Sequence, residues 1–435
     1  MIFAAAKVGK VFQIIAMVSK NNCNFASSYE THFMDTYIIR KQIHRLPGKV
    51  IHNIPIPQPE VEEGHASRKQ VGEICRQCGY QQVLVVTDKT LSQLGYEQAI
   101  TQSLNEAGVN YSIFNKINSE PTIAIIEAAR KAALESQAEC IVALGGGSVM
   151  DTCKMVAAGV KIPHLKIKTL LLKFLPVPDQ TLPIIAVPST AGTGAEVTVG
   201  AVVTNSRGTK SSTVLIGLNV THVILDSELT IHAPQQVTAA CGMDALSHCI
   251  EGAVSDVEVD ESDARLSEEG VKLILQHLPT VMKDPENIEA RLGMCRAAMY
   301  GGHAINTQLA GYVHAFAHSI GAKYHIPHGQ AISLMLLPVL EYQKDTCLAK
   351  YAMLARYCNI VDDQTSDAEA ADLFLQAIRQ LMAQCGMDKL VSPVKACDHE
   401  VLTRMIVKDS INYSAPFTFS NNDIEQVLNT ITPKE

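Results

Sequence analysis

The 435-residue sequence has no tryptophan, and aromatic residues make up only 5% of it. It therefore lacks an aromatic platform on which a planar ligand or a base could stack. No basic run is present either. Lys+Arg 36 against Asp+Glu 44 leaves a net charge of -8, which excludes the phosphate-neutralising stripe of a nucleic-acid binder. Charged residues are few, at 18%, yet the apolar content of 47% is ordinary for a globular chain and excludes global disorder. Internal repeats and low-complexity segments are absent. The twelve cysteines are irregularly spaced, which excludes a disulfide scaffold and fits a reducing, cytoplasmic compartment. Cys75 and Cys78 form a single C-x-x-C. It precedes an apolar run instead of following one, so it reads as helical packing and not as a redox pair, and with no second copy a four-thiolate zinc site is excluded.

The longest uncharged stretch, Ala297 to Ala322, contains His303, Asn306, Thr307, Gln308, His314, His318 and Ser319. These would be costly against lipid, so the stretch reads as buried helix around a polar site, with no membrane partner. Residues 1–45 carry six Lys/Arg against two acids, and their apolar run Val11 to Ser19 is too short to span a bilayer. This segment reads as an N-terminal extension or a misassigned start, with a targeting segment as the alternative.

What is present has a clear order. From about residue 50, apolar β-rich runs alternate with helical patterns: Val83 to Thr87, a helix near Ser92 to Ala107, Tyr111 to Phe114, a helix near Thr122 to Ser136, and Ile141 to Leu144. Further strands are expected at Ile184 to Val187, Val199 to Thr204 and Val223 to Leu225. Such alternation predicts a parallel sheet with flanking crossover helices. After Pro234 helical spacing takes over to the C-terminus. The expected organisation is an extension (1–45), an α/β dinucleotide-binding domain (46–232) and an all-helical metal and catalytic domain (233–435).

Gly145-Gly146-Gly147-Ser148, followed by Asp151, lies between a strand and a helix. Glycines there let backbone amides approach a pyrophosphate at a helix N-terminus; a plain tight turn is the alternative, since the G-x-G-x-x-G spacing is missing. A second loop, Pro188 to Glu196, offers Ser189, Thr190 and Thr193 beside glycines. Asp88 ends a strand, where a carboxylate can bond ribose hydroxyls or simply form a turn. In the helical half, five of the fifteen histidines fall between His303 and His328. His314 and His318 share a helix face, as do Asp244 and His248, and His328 sits in Pro327-His328-Gly329. One carboxylate with several imidazoles suits Fe(II) or Zn(II) and not calcium.

Taken together, Gly145 to Ser148 with Asp151, Ser189 to Glu196, Gly242 to His248 and His314 to Gly329 resemble the motifs of the iron-containing alcohol dehydrogenase family. The resemblance runs over roughly residues 50 to 430. It implies metal ligands Asp244, His248, His314 and His328, with His318 beside nicotinamide and substrate as a proton-handling residue. It also implies NAD held by Asp88, Gly145, Gly146, Gly147, Ser148, Asp151, Ser189, Thr190, Thr193 and Lys210. The implied activity is alcohol oxidation or aldehyde reduction on a small aliphatic alcohol or diol, by a homo-oligomer of at least two chains. A hydroxyacid-oxoacid transhydrogenase with retained nucleotide and a non-catalytic assembly module are the competing expectations. The segment Lys161 to Gln180 matches no motif of the family.

Overall fold

In the computed structural model the described residues are 56, 58–118, 120–171, 175–176, 181–204, 210–411 and 413–433. The expected N-terminal extension lies outside them, as do residues 172–174 and 177–180 of the segment Lys161 to Gln180. Six strands form a wholly parallel sheet: β1 (Glu60–Gly64), β2 (Gln82–Asp88), β3 (Asn110–Ile117), β4 (Cys140–Gly145), β6 (Ile184–Pro188) and β9 (Val220–Asp226). Their spatial order is β1-β9-β6-β4-β2-β3. The central strands are continuous apolar runs because both faces are covered. Val83 and Val85 of β2 pack into one cluster, and Leu84 and Val86 into another on the opposite face. Helices α1 (Ile123–Glu135) and α2 (Gly147–Lys161) pack on the second of these faces.

Two expectations are corrected here. The single helix near Ser92 to Ala107 is two, Lys89–Gln93 and Gln98–Glu106, parted at Gly95, whose φ of 74° is open to glycine and breaks the helical path. The strand near Val199 is β7 (Gly200–Thr204), and it does not join the parallel sheet. It pairs antiparallel with β8 (Lys210–Ile216), which itself runs parallel to β5 (Leu175–Pro176) in a separate three-stranded sheet.

From Glu228 onward the described regular elements are helices, the long ones being α3 (Gln235–Val254), α4 (Glu261–Lys283), α5 (Ile288–Gln308), α6 (Tyr312–Tyr324), α7 (His328–Tyr342), α8 (Lys344–Tyr357), α9 (Asp367–Gln384), α10 (His399–Ser410) and α11 (Asn421–Ile431). They enclose one apolar core, while Cys295 and Met299 of α5 belong to the core beneath the parallel sheet. The helical half is therefore docked on the α/β half through α5. No described helix is long and apolar enough to cross a membrane.

Candidate metal and nucleotide site

Helix α3 places Asp244, His248 and Glu251 at i, i+4 and i+7, on one face. All three are buried. Helix α6 brings His314 and His318 one turn apart. The chain then reverses at His325, which is exposed and left-handed (φ 56°), and His328 opens α7 behind Pro327.

These elements bring Asp244, His314 and His328 together, with one potential ligand atom from each lying within 4.8 Å of the others. Asp244 Oδ1 is 3.1 Å from His328 Nε2, 3.7 Å from His314 Nε2 and 3.8 Å from His248 Nε2. His248 stands at the edge of this group, its ring stacked on His314 at 4.5 Å between centroids. His303 and His325 do not join it. Asp244 Oδ1 and His314 Nε2 are buried with no hydrogen-bond partner. Buried polar atoms are almost always paired, so two unpaired ones facing each other fit a cation between them. On the far side of the ring, His314 Nδ1 is 2.5 Å from Glu251 Oε2.

The charges are coupled accordingly. Burial opposes ionisation of Asp244, but the imidazoles, His248 foremost, hold its carboxyl well below the usual range. Burial pushes His248 down to about 3 against the pull of Asp244. Burial also opposes charge on His314, yet Glu251 and Asp244 together lift it to about 10.

His318 lies beside the cluster, its ring 5.1 Å from that of His328 and 5.8 Å from that of His314. Its Nδ1 is 2.7 Å from the Tyr413 hydroxyl and 3.1 Å from Asp409 Oδ2. Its side chain remains 37% exposed. Desolvation lowers its pKa below the ordinary value, with Asp409 acting in the other direction.

In the α/β half, the two glycine-containing loops touch. Ser189 N donates to the Gly145 carbonyl, and a Cβ on Gly146 or Gly147 would come within 3.1 Å of Thr190 or Thr193. Gly146 caps α2, and Gly147 and Ser148 open it, all half-buried instead of sealed. Backbone amides at a helix N-terminus are thus available to an anion. Asp88 sits at the C-terminal end of β2 as expected, where its Oδ1 also accepts from Leu91 N and caps the helix Lys89–Gln93. Asp151 departs from expectation. Its oxygens face inward, accepting from Lys154 Nζ and from Val202 N, so it braces α2 against β7. Lys210 opens β8, and its side chain lies outside the described residues.

Sequence reasoning missed Glu251, Asp409 and Tyr413. Glu251 could have been found from its position one turn beyond His248 on the same face. Asp409 and Tyr413 are 91 and 95 residues from His318, beyond any local pattern.

Residues 58–227 match the family described as iron-containing alcohol dehydrogenase, and residues 238–432 match the Fe-containing alcohol dehydrogenase family, C-terminal. The chain is 31% identical over 368 residues to the 1,3-propanediol dehydrogenase of Citrobacter freundii, covering 82% of this chain and 93% of that one. It is 30% identical over 372 residues to the NAD-dependent methanol dehydrogenase of Bacillus methanolicus, covering 84% and 96%. Sulfoacetaldehyde reductase from Bifidobacterium kashiwanohense, solved in complex with NAD+, superposes with a TM-score of 0.79 at 27% identity, covering 88% of this chain and 99% of that one. With both halves matched and the histidine cluster assembled between α3, α6 and α7, the chain belongs to the iron-containing alcohol dehydrogenase family, oxidoreductases of alcohols and aldehydes.

Proposed function

We propose that the chain is an NAD-linked, metal-dependent alcohol dehydrogenase and aldehyde reductase acting on a small aliphatic alcohol or diol. The observation that carries this reading is the pair of buried, unpartnered atoms Asp244 Oδ1 and His314 Nε2, 3.7 Å apart with His328 beside them. One carboxylate and two imidazoles, with His248 as the fourth group at the edge, are the donor set of Fe(II) or Zn(II). Bound there, the divalent ion supplies a Lewis acid for the substrate oxygen, and the nicotinamide supplies the hydride acceptor.

The rest falls to the chain itself. Asp244 contributes the negative charge of the ligand set. Gly145, Gly146, Gly147 and Ser148 bring backbone amides to the pyrophosphate, flanked by Ser189, Thr190 and Thr193. Asp88 faces the adenine ribose and disfavours a 2'-phosphate, and Lys210 adds a cation from the β7–β8 hairpin. Alcohol oxidation sheds a proton as well as a hydride, and His318 Nε2 takes that proton while Tyr413 and Asp409 hold the ring by Nδ1. The family match and the NAD+ complex of a structural relative support this reading.

A panel of alcohols and aldehydes assayed with NAD and NADP, after loading the protein with iron or zinc separately, tests it. Turnover of small alcohols with NAD is expected. No turnover of any alcohol or aldehyde with either nucleotide would overturn the reading, and nucleotide retained through extensive dialysis would favour a transhydrogenase instead.

A further inference from the structure

Glu251 is buried at 3% exposure on α3 and is not a member of the expected ligand set. Its Oε1 accepts from the backbone N–H of Val313, 2.6 Å away, in the first turn of α6. Its Oε2 is 2.5 Å from His314 Nδ1, one residue further on. A carboxylate only accepts, so this contact keeps a hydrogen on Nδ1 and makes Nε2 the nitrogen whose lone pair a metal would take in place of a proton. That Nε2 is the atom aimed at Asp244 with no partner of its own. The approach depends on Gly311, the N-cap of α6, where an added Cβ would lie 2.9 Å from Glu251 Oε1.

We infer that Glu251, admitted by Gly311, is a positioning residue that sets the His314 tautomer and ring orientation required for metal binding. The inference rests on the metal site proposed above. Glutamine cannot substitute. If its carbonyl oxygen accepts from His314, its NH2 confronts the Val313 N–H. If it accepts from Val313, its NH2 faces Nδ1, and the hydrogen moves to Nε2, which then has no lone pair for a metal. Glutamate alone accepts from both donors. Carboxylates behind ligating histidines characteristically contribute 10- to 100-fold in metal affinity.

The test is chelator-competition titration of the full chain with Zn(II), on wild type, Asp244→Asn, Glu251→Gln and Gly311→Ala, alongside melting of each metal-free protein. Glu251→Gln and Gly311→Ala are expected to bind zinc about 10- to 100-fold more weakly than wild type. Weakened affinity in Gly311→Ala with an unchanged metal-free melt supports the role even if Glu251→Gln fails to fold. Wild-type affinity in Gly311→Ala, or in a folded Glu251→Gln, would overturn it, because a mere helix cap would lower the melt and leave affinity intact. Failure of the underlying site looks different: wild type and Asp244→Asn would then bind zinc equally poorly.

Discussion

At the scale of single residues, the site contains side chains with two duties. Asp88 both caps the helix Lys89–Gln93 and stands where the adenine ribose is proposed to lie. The 2'-phosphate of NADP brings roughly two negative charges. Each would meet the Asp88 carboxylate at about 4 kcal/mol if 4 Å away at an effective dielectric of 20, before salt screening. Wild type is therefore expected to prefer NAD strongly, and Asp88→Gly to raise kcat/KM with NADP. Glycine is itself a tolerable cap, costing only a few tenths of a kcal/mol, so the fold should survive. Equal efficiency with both nucleotides in wild type would contradict this role. His318 is the second such residue. His318→Ala should keep its metal and lose about 10²- to 10⁴-fold in turnover. Because its pKa lies below the ordinary histidine value, the neutral ring prevails at pH 7, and the oxidation rate of wild type falls as pH drops through that pKa. The variant should lose this acidic limb. Unchanged turnover with an unchanged pH profile would make His318 a packing residue.

At the scale of elements, the nucleotide loops and the metal helices are joined by close backbone packing. Gly194 in the second loop has φ 59°, and a Cβ there would come within 2.4 Å of the Ala298 carbonyl and 2.5 Å of the Gly302 amide, both on α5. Gly301, next along α5, leaves only 3.0 Å between its own Cβ position and that of His248. Loop, α5 and α3 thus pack closely at these glycines. Gly194→Ala is strained in its backbone and blocked by atoms that cannot rotate away. It is expected to cost about 1–3 kcal/mol or more in stability, read as a lower melting temperature. Melting like wild type would show that the loop can lift off α5. Much at this scale was legible in advance, since β2, β4, β6, β9 and α1 each lie within a few residues of their expected positions. The misses have local causes. β1 reads Glu60-Val61-Glu62-Glu63-Gly64, an edge strand too charged to register as one. The hairpin β7–β8 interrupts a parallel alternation with an antiparallel pair.

At the scale of the whole molecule, one buried carboxyl ties stability to pH. Glu196 ends the second loop at 3% exposure, and burial lifts its pKa to about 7, with Lys154 opposing. In the unfolded chain the same group titrates near 4.3. Between these values the native state holds more protons than the unfolded one, so stability declines as pH rises from about 4.5 to about 7 and is level beyond. Burial of this one group accounts for a decline of up to about 4 kcal/mol. Glu196→Gln is expected to flatten that part of the melting-temperature profile relative to wild type. An identical decline in the variant would place the effect elsewhere.

What the sequence determined by itself is whatever depends on residues a few positions apart. The apolar strand runs, the glycine loop before α2, the i,i+4 pairs Asp244/His248 and His314/His318, and the turn before His328 are all of this kind. Tertiary structure alone decided how those pieces converge. It grouped Asp244, His314 and His328 closely and set His248 at their edge, turned Asp151 toward Lys154, and brought Glu251 behind His314 and Asp409 with Tyr413 behind His318. The reason is physical. Helical and strand periodicities are properties of the local backbone, whereas which imidazole receives which carboxylate across 60 to 90 residues is set by the path of the chain and by the glycines that let α3, α5 and the loops approach.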